Sequence, residues 1–137
     1  MFVFFKNKTQ KWNESYDLLA DGKISLQEFV DRNEKMTLYN TLPFFAGENG
    51  KGCPNAIGRE ENDVVYFPVF FSAEEMKNHY SFHGVDFNIV IEGTLKSVLS
   101  SLDSHPAIRG WGVVVSPDSE RAIWIPPFTR VRPKCLR

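Results

Sequence analysis

The segment at residues 64–76 constrains the fold more than any other part of this chain. Seven of its first eight residues are β-branched or aromatic, which is the composition of a well-buried strand. Pro68 has no backbone N–H to donate, so we predict that this strand lies at a sheet edge or at a bulge. Directly behind it, Ser72 and Glu75 have the spacing of a capping box and predict the start of a short helix.

Two helices are predicted in the front third of the chain. The first carries apolar side chains at helical spacing, namely Trp12, Tyr16 and Leu19. Gly22 supplies the left-handed position with which helices commonly end. The second helix begins at Ser25, where Ser25 and Glu28 form a capping box, and runs to about Lys35.

The rest of the chain predicts strands alternating with helices. We expect a strand at residues 36–45, a long loop at 46–63, a strand at 85–91 and a helix from Leu95 to about Ser104. The helix has apolar residues at i, i+3, i+4 and i+7. Residues 111–115 and 121–125 predict two strands, and the turn-forming residues 116–120 between them predict a hairpin.

Composition bounds the class of protein. A chain of 137 residues with a net charge of −1 suits one domain and has no general attraction to nucleic acid or anionic membrane. Two cysteines, Cys53 and Cys135, are too few for a disulfide framework, and we interpret them as reduced thiols. The apolar start at residues 2–5 is too short for a signal peptide, so a cytoplasmic location is expected.

Three motifs together resemble the N-terminal domain of the enhanced-serine-sensitivity (SseB-like) protein family of bacteria. They are the strand and capped helix at residues 66–75, the helix at 95–102, and residues 113–117 before the last strand. The resemblance covers roughly residues 36–127. That family usually has Asn where this chain has Ser116. The resemblance implies an α+β fold of bacterial origin, and it implies no catalytic residues.

Few residues form a pattern that indicates chemistry. Glu75, His79 and His83 are four residues apart and would share one face of a persistent helix, which makes them candidate zinc ligands. Ser81 and Gly84 favour an earlier helix end, which would leave the histidines at a helix end or on the surface. Residues 17–28 imitate a calcium loop, but Leu19 occupies a ligand position, and helix capping explains the same residues.

A partner-binding surface is the other candidate site. Arginines and large aromatic side chains anchor protein interfaces, and several occur in the predicted hairpin and after it: Arg109, Trp111, Arg121, Trp124, Phe128 and Arg130. If the tryptophans face outward they form such a surface. The alternative is that one or both lie in the core. Residues 128–137 form a basic tail that either binds an acidic partner or stays solvated.

We therefore predict a single α+β domain with a mixed sheet of about five strands and helices mainly on one face. Its parts are a helical N-terminal extension at residues 1–35, an SseB-like core at 36–127 and the basic tail at 128–137. The function we expect is that of a non-catalytic bacterial protein-interaction module, without cofactor, that binds a protein partner or self-associates along an exposed edge such as the strand of Pro68. The alternative function is a metal-dependent enzyme or metal sensor.

Overall fold

The computed structural model describes residues 7–40, 57–59, 62–82, 84, 90–104 and 110–127. Over these residues the chain forms four helices and six strands of a single α+β domain. The helices are α1 (Lys8–Ala20), α2 (Leu26–Arg32), α3 (Ala73–Phe82) and α4 (Leu95–Ser104). The strands are β1 (Thr37–Asn40), β2 (Ile57–Arg59), β3 (Asn62–Val69), β4 (Ile91–Thr94), β5 (Gly112–Val115) and β6 (Ile123–Ile125). None of these helices is long and apolar enough to cross a membrane.

The first two helices begin and end at capping residues. Asn7 caps α1, because its side chain accepts from the Gln10 N–H at 2.8 Å and the Gln10 side chain accepts from the Asn7 N–H at 3.0 Å. Gly22 follows α1 with φ +73° in the left-handed region, as predicted. Ser25 caps α2. The predicted end near Lys35 was wrong, since the helix ends at Arg32 with Asn33 as its C-cap.

The predicted mixed sheet is confirmed, and a separate pair of strands accompanies it. The four-stranded sheet has the order β2-β3-β5-β6, in which β3 and β5 are parallel and the two outer pairs are antiparallel. β1 and β4 form an antiparallel pair of their own. Tyr39 connects this pair to the end of β3, because it exchanges backbone hydrogen bonds of 2.7 and 2.9 Å with Phe70.

The predicted sheet edge was wrong for the strand of Pro68, and the register shift among the described β2–β3 pairs lies between Gly58 and Arg59 rather than at Pro68. β3 is paired with β2 on one side and with β5 on the other. Backbone groups of neighbouring residues point to opposite sides of a strand, and those of residues two apart point to the same side. Both backbone groups of Phe70 point toward β1, so Pro68 directs its backbone to that side too. On this side of β3, the described pairing with β2 ends at Tyr66, which is opposite Ile57. The next described pairing is that of Phe70 with Tyr39. The missing N–H therefore falls between two pairings.

Two predicted boundaries also change. The loop predicted at 46–63 contains β2 and the start of β3, while residues 46–56 lie outside the described residues. Of the strand predicted at 85–91, only Ile91 lies in β4, and residues 85–89 lie outside the described residues. β4 instead continues to Thr94 because it pairs with β1 along its length. Thr94 then caps α4 by accepting from the Ser97 N–H at 3.1 Å.

Three of the four described helices share one apolar core with the sheet. Phe67 and Val69 of β3 alternate onto this face together with residues of β5 and β6, and side chains of α1, α2 and α4 pack against them. The core includes Trp12, Phe29, Val30, Leu95, Val98, Leu99, Leu102, Val113, Val115, Ile123 and Ile125. α3 forms a second, smaller cluster in which Met76 and Tyr80 pack with Phe70. The buried apolar side chains of α3 therefore belong to a cluster separate from the core that the other three helices share.

Candidate functional site

The turn at residues 116–121, between β5 and β6, is fixed by its own backbone. Ser116 has φ +56°, the left-handed region that L-residues rarely occupy. Its N–H donates to the carbonyl of Val69 at 2.8 Å, and its carbonyl accepts from the Ser119 N–H at 3.0 Å. The Ser119 hydroxyl accepts from the Arg121 N–H at 3.0 Å. The turn therefore has a defined shape and is anchored to the end of β3.

Two side-chain hydrogen bonds connect α3 to this turn. The Ser116 hydroxyl donates to Glu75 Oε1 at 2.7 Å, and His79 Nδ1 lies 2.7 Å from Asp118 Oδ2. Glu75 and His79 are one helical turn apart on α3, so their side chains lie on the same face. Ser116 and Asp118 are two residues apart in the turn. We call this pair of contacts the α3–turn tie.

The His79 imidazole is held by packing as well as by its carboxylate. Its side chain is 5% exposed, whereas that of Asp118 is 60% exposed. The ring centroids of Phe70 and Tyr80 each lie 5.1 Å from that of His79. An ionised carboxylate only accepts hydrogen bonds, so Nδ1 carries the proton in this pair. Asp118 thus fixes both the orientation and the tautomer of a nearly buried histidine.

Glu75 has a different partner from the one that the capping box predicted. The Ser72 hydroxyl accepts from the Glu75 N–H at 3.0 Å, which is the predicted cap of α3. The Glu75 carboxylate was expected to reach back to the Ser72 N–H, but Oε1 accepts the Ser116 hydroxyl instead. The side chain that the sequence assigned to local capping therefore makes a contact 41 residues away.

Arg121 holds the other side of the turn against α1. One of its guanidinium nitrogens lies 3.3 Å from Asp17 Oδ1, and its guanidinium carbon lies 4.8 Å from the centroid of the Tyr16 ring. The second contact is a cation–π interaction. The turn is consequently connected to α3 by Ser116 and Asp118 and to α1 by Arg121.

Two clefts adjoin the turn, and they share Glu75 and Asp118. The cleft toward α1 has a volume of about 510 Å³ and is lined by Thr9, Trp12, Asn13, Phe71, Glu75, Ser116, Asp118, Ser119 and Arg121. The cleft toward α3 has a volume of about 580 Å³ and is lined by Ser72, Glu74, Glu75, Asn78, His79, Phe82 and Asp118. Phe82 is 86% exposed. Both volumes lie in the range of ligand-binding clefts.

The structure separates the two tryptophans of the predicted partner-binding surface. Trp111 is partly buried and packs against the main core. Trp124 is opposite Val114 in the sheet register, so it lies on the other face, where its ring centroid is 4.9 Å from that of Tyr66. Arg121 is exposed in the turn. Arg109, Phe128 and Arg130 lie outside the described residues.

Two of the three candidate metal ligands, Glu75 and His79, are engaged in the α3–turn tie. Glu75 accepts from Ser116, and His79 is bonded to Asp118. His83 lies outside the described residues. Over the ranges that the structure describes, no three His, Cys, Asp or Glu side chains form a group that could hold a metal ion. The metal-dependent alternative stays a prediction.

The tie also defines what chemistry these side chains offer. A catalytic serine needs a base that accepts its proton and is itself oriented by a third group. Here the Ser116 hydroxyl and the His79 imidazole are each bonded to a different carboxylate. Ser116 is also buried, with 6% of its surface exposed. These hydrogen bonds join α3 to the turn, and Glu75 and Asp118 lie between the two clefts.

Comparison with known proteins identifies no relative. The chain matches no protein-family model, no curated protein and no solved structure. The fold and the site therefore define the class of this protein as an α+β domain with a cleft on each side of one turn. Membership of the SseB-like family stays a prediction, carried by the sequence motifs alone.

Proposed function

We propose that this protein is a non-catalytic bacterial protein-interaction module that binds a protein partner through α3 and the adjoining turn. The binding surface, which we call the α3–turn surface, consists of the exposed side chains of α3 and of residues 116–121. The observation that carries the proposal is the 86% exposure of Phe82 at the end of α3, on the rim of a cleft of about 580 Å³.

An exposed phenylalanine on a cleft is unusual for a surface that only faces water. Single exposed apolar residues are common, but large aromatic side chains beside polar groups are typical of the centre of protein interfaces. Asn78 and Glu74 line the same cleft and are exposed, so polar side chains accompany Phe82 there. This combination favours a protein partner.

The rigidity of the surface also supports this function. A preformed surface loses little conformational entropy on binding, which strengthens association. The α3–turn tie and the two turn hydrogen bonds of Ser116 hold this surface in one arrangement. The described members of the sequence-predicted surface are Trp111, Arg121 and Trp124, and in this proposal Arg121 belongs to the edge of the α3–turn surface.

Affinity capture with matched variants tests the proposal. Phe82→Ser is expected to abolish retention of the partner that the wild-type protein captures from a bacterial lysate, because the aromatic anchor is lost. Ile91→Ser is the control, since Ile91 is a large apolar residue of β4 with 37% exposure. A chain ending at Pro127 separates the basic tail from the surface. Equal capture of one partner by wild type and Phe82→Ser would contradict the proposal.

A further inference from the structure

The charge of the cleft toward α3 indicates which kind of partner segment it binds. Its charged lining side chains Glu74, Glu75 and Asp118 are all carboxylates. His79 lines the same cleft, and with a neutral imidazole the formal charge of the lining is −3. The cleft therefore attracts a cation, whereas the whole chain, with a net charge of −1, has no such preference.

The nearest basic side chain of the turn is directed elsewhere. Arg121 lines the other cleft and is held there by Asp17 and the Tyr16 ring of α1. Its guanidinium thus belongs to the α1 side of the turn. Glu75 and Asp118 also line the cleft of Arg121, but among the described residues the lining of the cleft toward α3 contains no lysine or arginine.

The carboxylates keep hydrogen-bonding capacity after forming the α3–turn tie. A carboxylate has two oxygens and about four acceptor positions. The tie uses Oε1 of Glu75 and Oδ2 of Asp118, one hydrogen bond each. Asp118 is 60% exposed, so a group entering from solvent reaches it.

We infer that the α3–turn surface binds a peptide segment of its partner that presents an arginine beside an apolar side chain. This inference rests on the proposed function and adds the chemistry of the partner. The guanidinium pairs with the carboxylates of Asp118 and Glu74, and the apolar neighbour packs on Phe82. Arginine suits the cleft better than lysine, because its planar group forms paired hydrogen bonds to a carboxylate and stacks on an aromatic ring.

Fluorescence anisotropy with four labelled peptides tests this inference. The probe is a glycine–serine peptide with one arginine between two leucines, and its sister peptides carry lysine, citrulline or glutamate at that position. We expect the arginine peptide to bind best and the uncharged citrulline peptide to bind about tenfold more weakly, since the positive charge is lost while the shape is kept. Added salt should weaken binding of the arginine peptide and leave binding of the citrulline peptide nearly unchanged.

Variants of the protein locate the binding. Glu74→Gln should weaken binding of the arginine peptide by about three- to fivefold, as expected for loss of an exposed ion pair. Glu92→Gln, an equally exposed carboxylate of β4, should have no effect. Glu74 is a suitable site because it takes no part in the α3–turn tie.

Different outcomes overturn the two proposals separately. Equal binding of the arginine, citrulline and glutamate peptides, or no binding of the arginine peptide at about 1 mM, overturns the charge inference. If Phe82→Ser still abolishes capture of the natural partner in that case, the proposed function stands and only the partner's chemistry is wrong. If the natural partner binds Phe82→Ser as well as wild type, the proposed function fails.

Discussion

Ser116 occupies a backbone conformation that its residue type does not favour, and the surrounding contacts explain why it persists. For an L-residue the left-handed region costs roughly 1–2 kcal/mol. At Ser116, three hydrogen bonds offset that cost: the N–H to Val69, the carbonyl to Ser119 and the hydroxyl to Glu75. The same conformation places the hydroxyl on α3, so the backbone geometry and the α3–turn tie depend on each other.

Two substitutions at Ser116 distinguish the steric cost of its left-handed backbone from the loss of its hydroxyl hydrogen bond. Ser116→Ala and Ser116→Gly both lose the hydrogen bond to Glu75, but only glycine adopts φ +56° without steric cost. We expect Ser116→Gly to be more stable than Ser116→Ala by about 1 kcal/mol in urea unfolding. At Ser101, an exposed residue of α4, the order should reverse, because alanine is the better helix former. If the alanine variant were the more stable one at both positions, the left-handed conformation of Ser116 would be contradicted.

The contact between His79 and Asp118 gives a second prediction at this scale. Asp118→Ala should destabilise the protein by about 1 kcal/mol, because the nearly buried imidazole loses its acceptor while the exposed carboxylate is partly screened. In a His79→Phe background the same substitution should change stability by about zero, since the interaction is already absent. Glu120→Ala in the same turn is the control. If Asp118→Ala destabilised the His79→Phe variant by the same amount as the wild-type protein, the two residues would not interact.

At the scale of elements, a buried polar contact joins α1 to α2. Asn33 Nδ2 donates to the Ser15 hydroxyl and to the Phe29 carbonyl, both at 2.8 Å. The Ser15 hydroxyl in turn donates to the Lys11 carbonyl at 2.7 Å. Asn33 and Ser15 are both buried. This network stops α2 at Asn33 and fixes the angle at which the two helices pack.

The network predicts non-additive effects on stability. Asn33→Ala should cost about 1–2 kcal/mol and Ser15→Ala about 1 kcal/mol, because each removes hydrogen bonds from a buried network. The double variant should cost less than the sum. Asn13→Ala, at an exposed position of α1, should have little effect in the same urea titration. Additive losses for Asn33 and Ser15 would contradict the hydrogen bond between them.

Elements were predictable from sequence where periodicity and capping agreed. The helix at Leu95–Ser104 has apolar residues on one face, and its predicted limits are confirmed. The strand of Pro68 was predicted correctly as a strand but wrongly as an edge, because sequence shows a missing N–H and not the direction in which it points. β4 extends beyond the end predicted at Ile91, since Glu92 and Gly93 do not resemble a strand and only pairing with β1 makes them one.

The candidate site depends on contacts between distant residues, which sequence alone did not reveal. Glu75 and His79 were singled out as metal ligands because they are four residues apart. Their partners Ser116 and Asp118 follow them by 41 and 39 residues, and were interpreted only as turn residues. The available signal was the run of turn-forming residues at 116–120 after a buried strand, which located the turn but not its contacts with α3. The parallel pairing of β3 with β5 is what brings the two together.

For the whole molecule, the two apolar clusters have different roles. α1, α2 and α4 form the main core on one face, which provides most of the buried apolar side chains. α3 packs on a smaller cluster and is held to the turn by hydrogen bonds. The exposed side of α3 is therefore held in place, and it belongs to the surface that we propose for partner binding.

Hydrogen–deuterium exchange of the protein with and without its captured partner tests this surface most directly. Binding should slow exchange of backbone amides in residues 72–82 and 116–121, because the partner covers α3 and the turn. Amides of α2 and of the β1–β4 pair serve as internal references and should not change. Protection confined to those references, with unchanged exchange in α3 and the turn, would contradict the account.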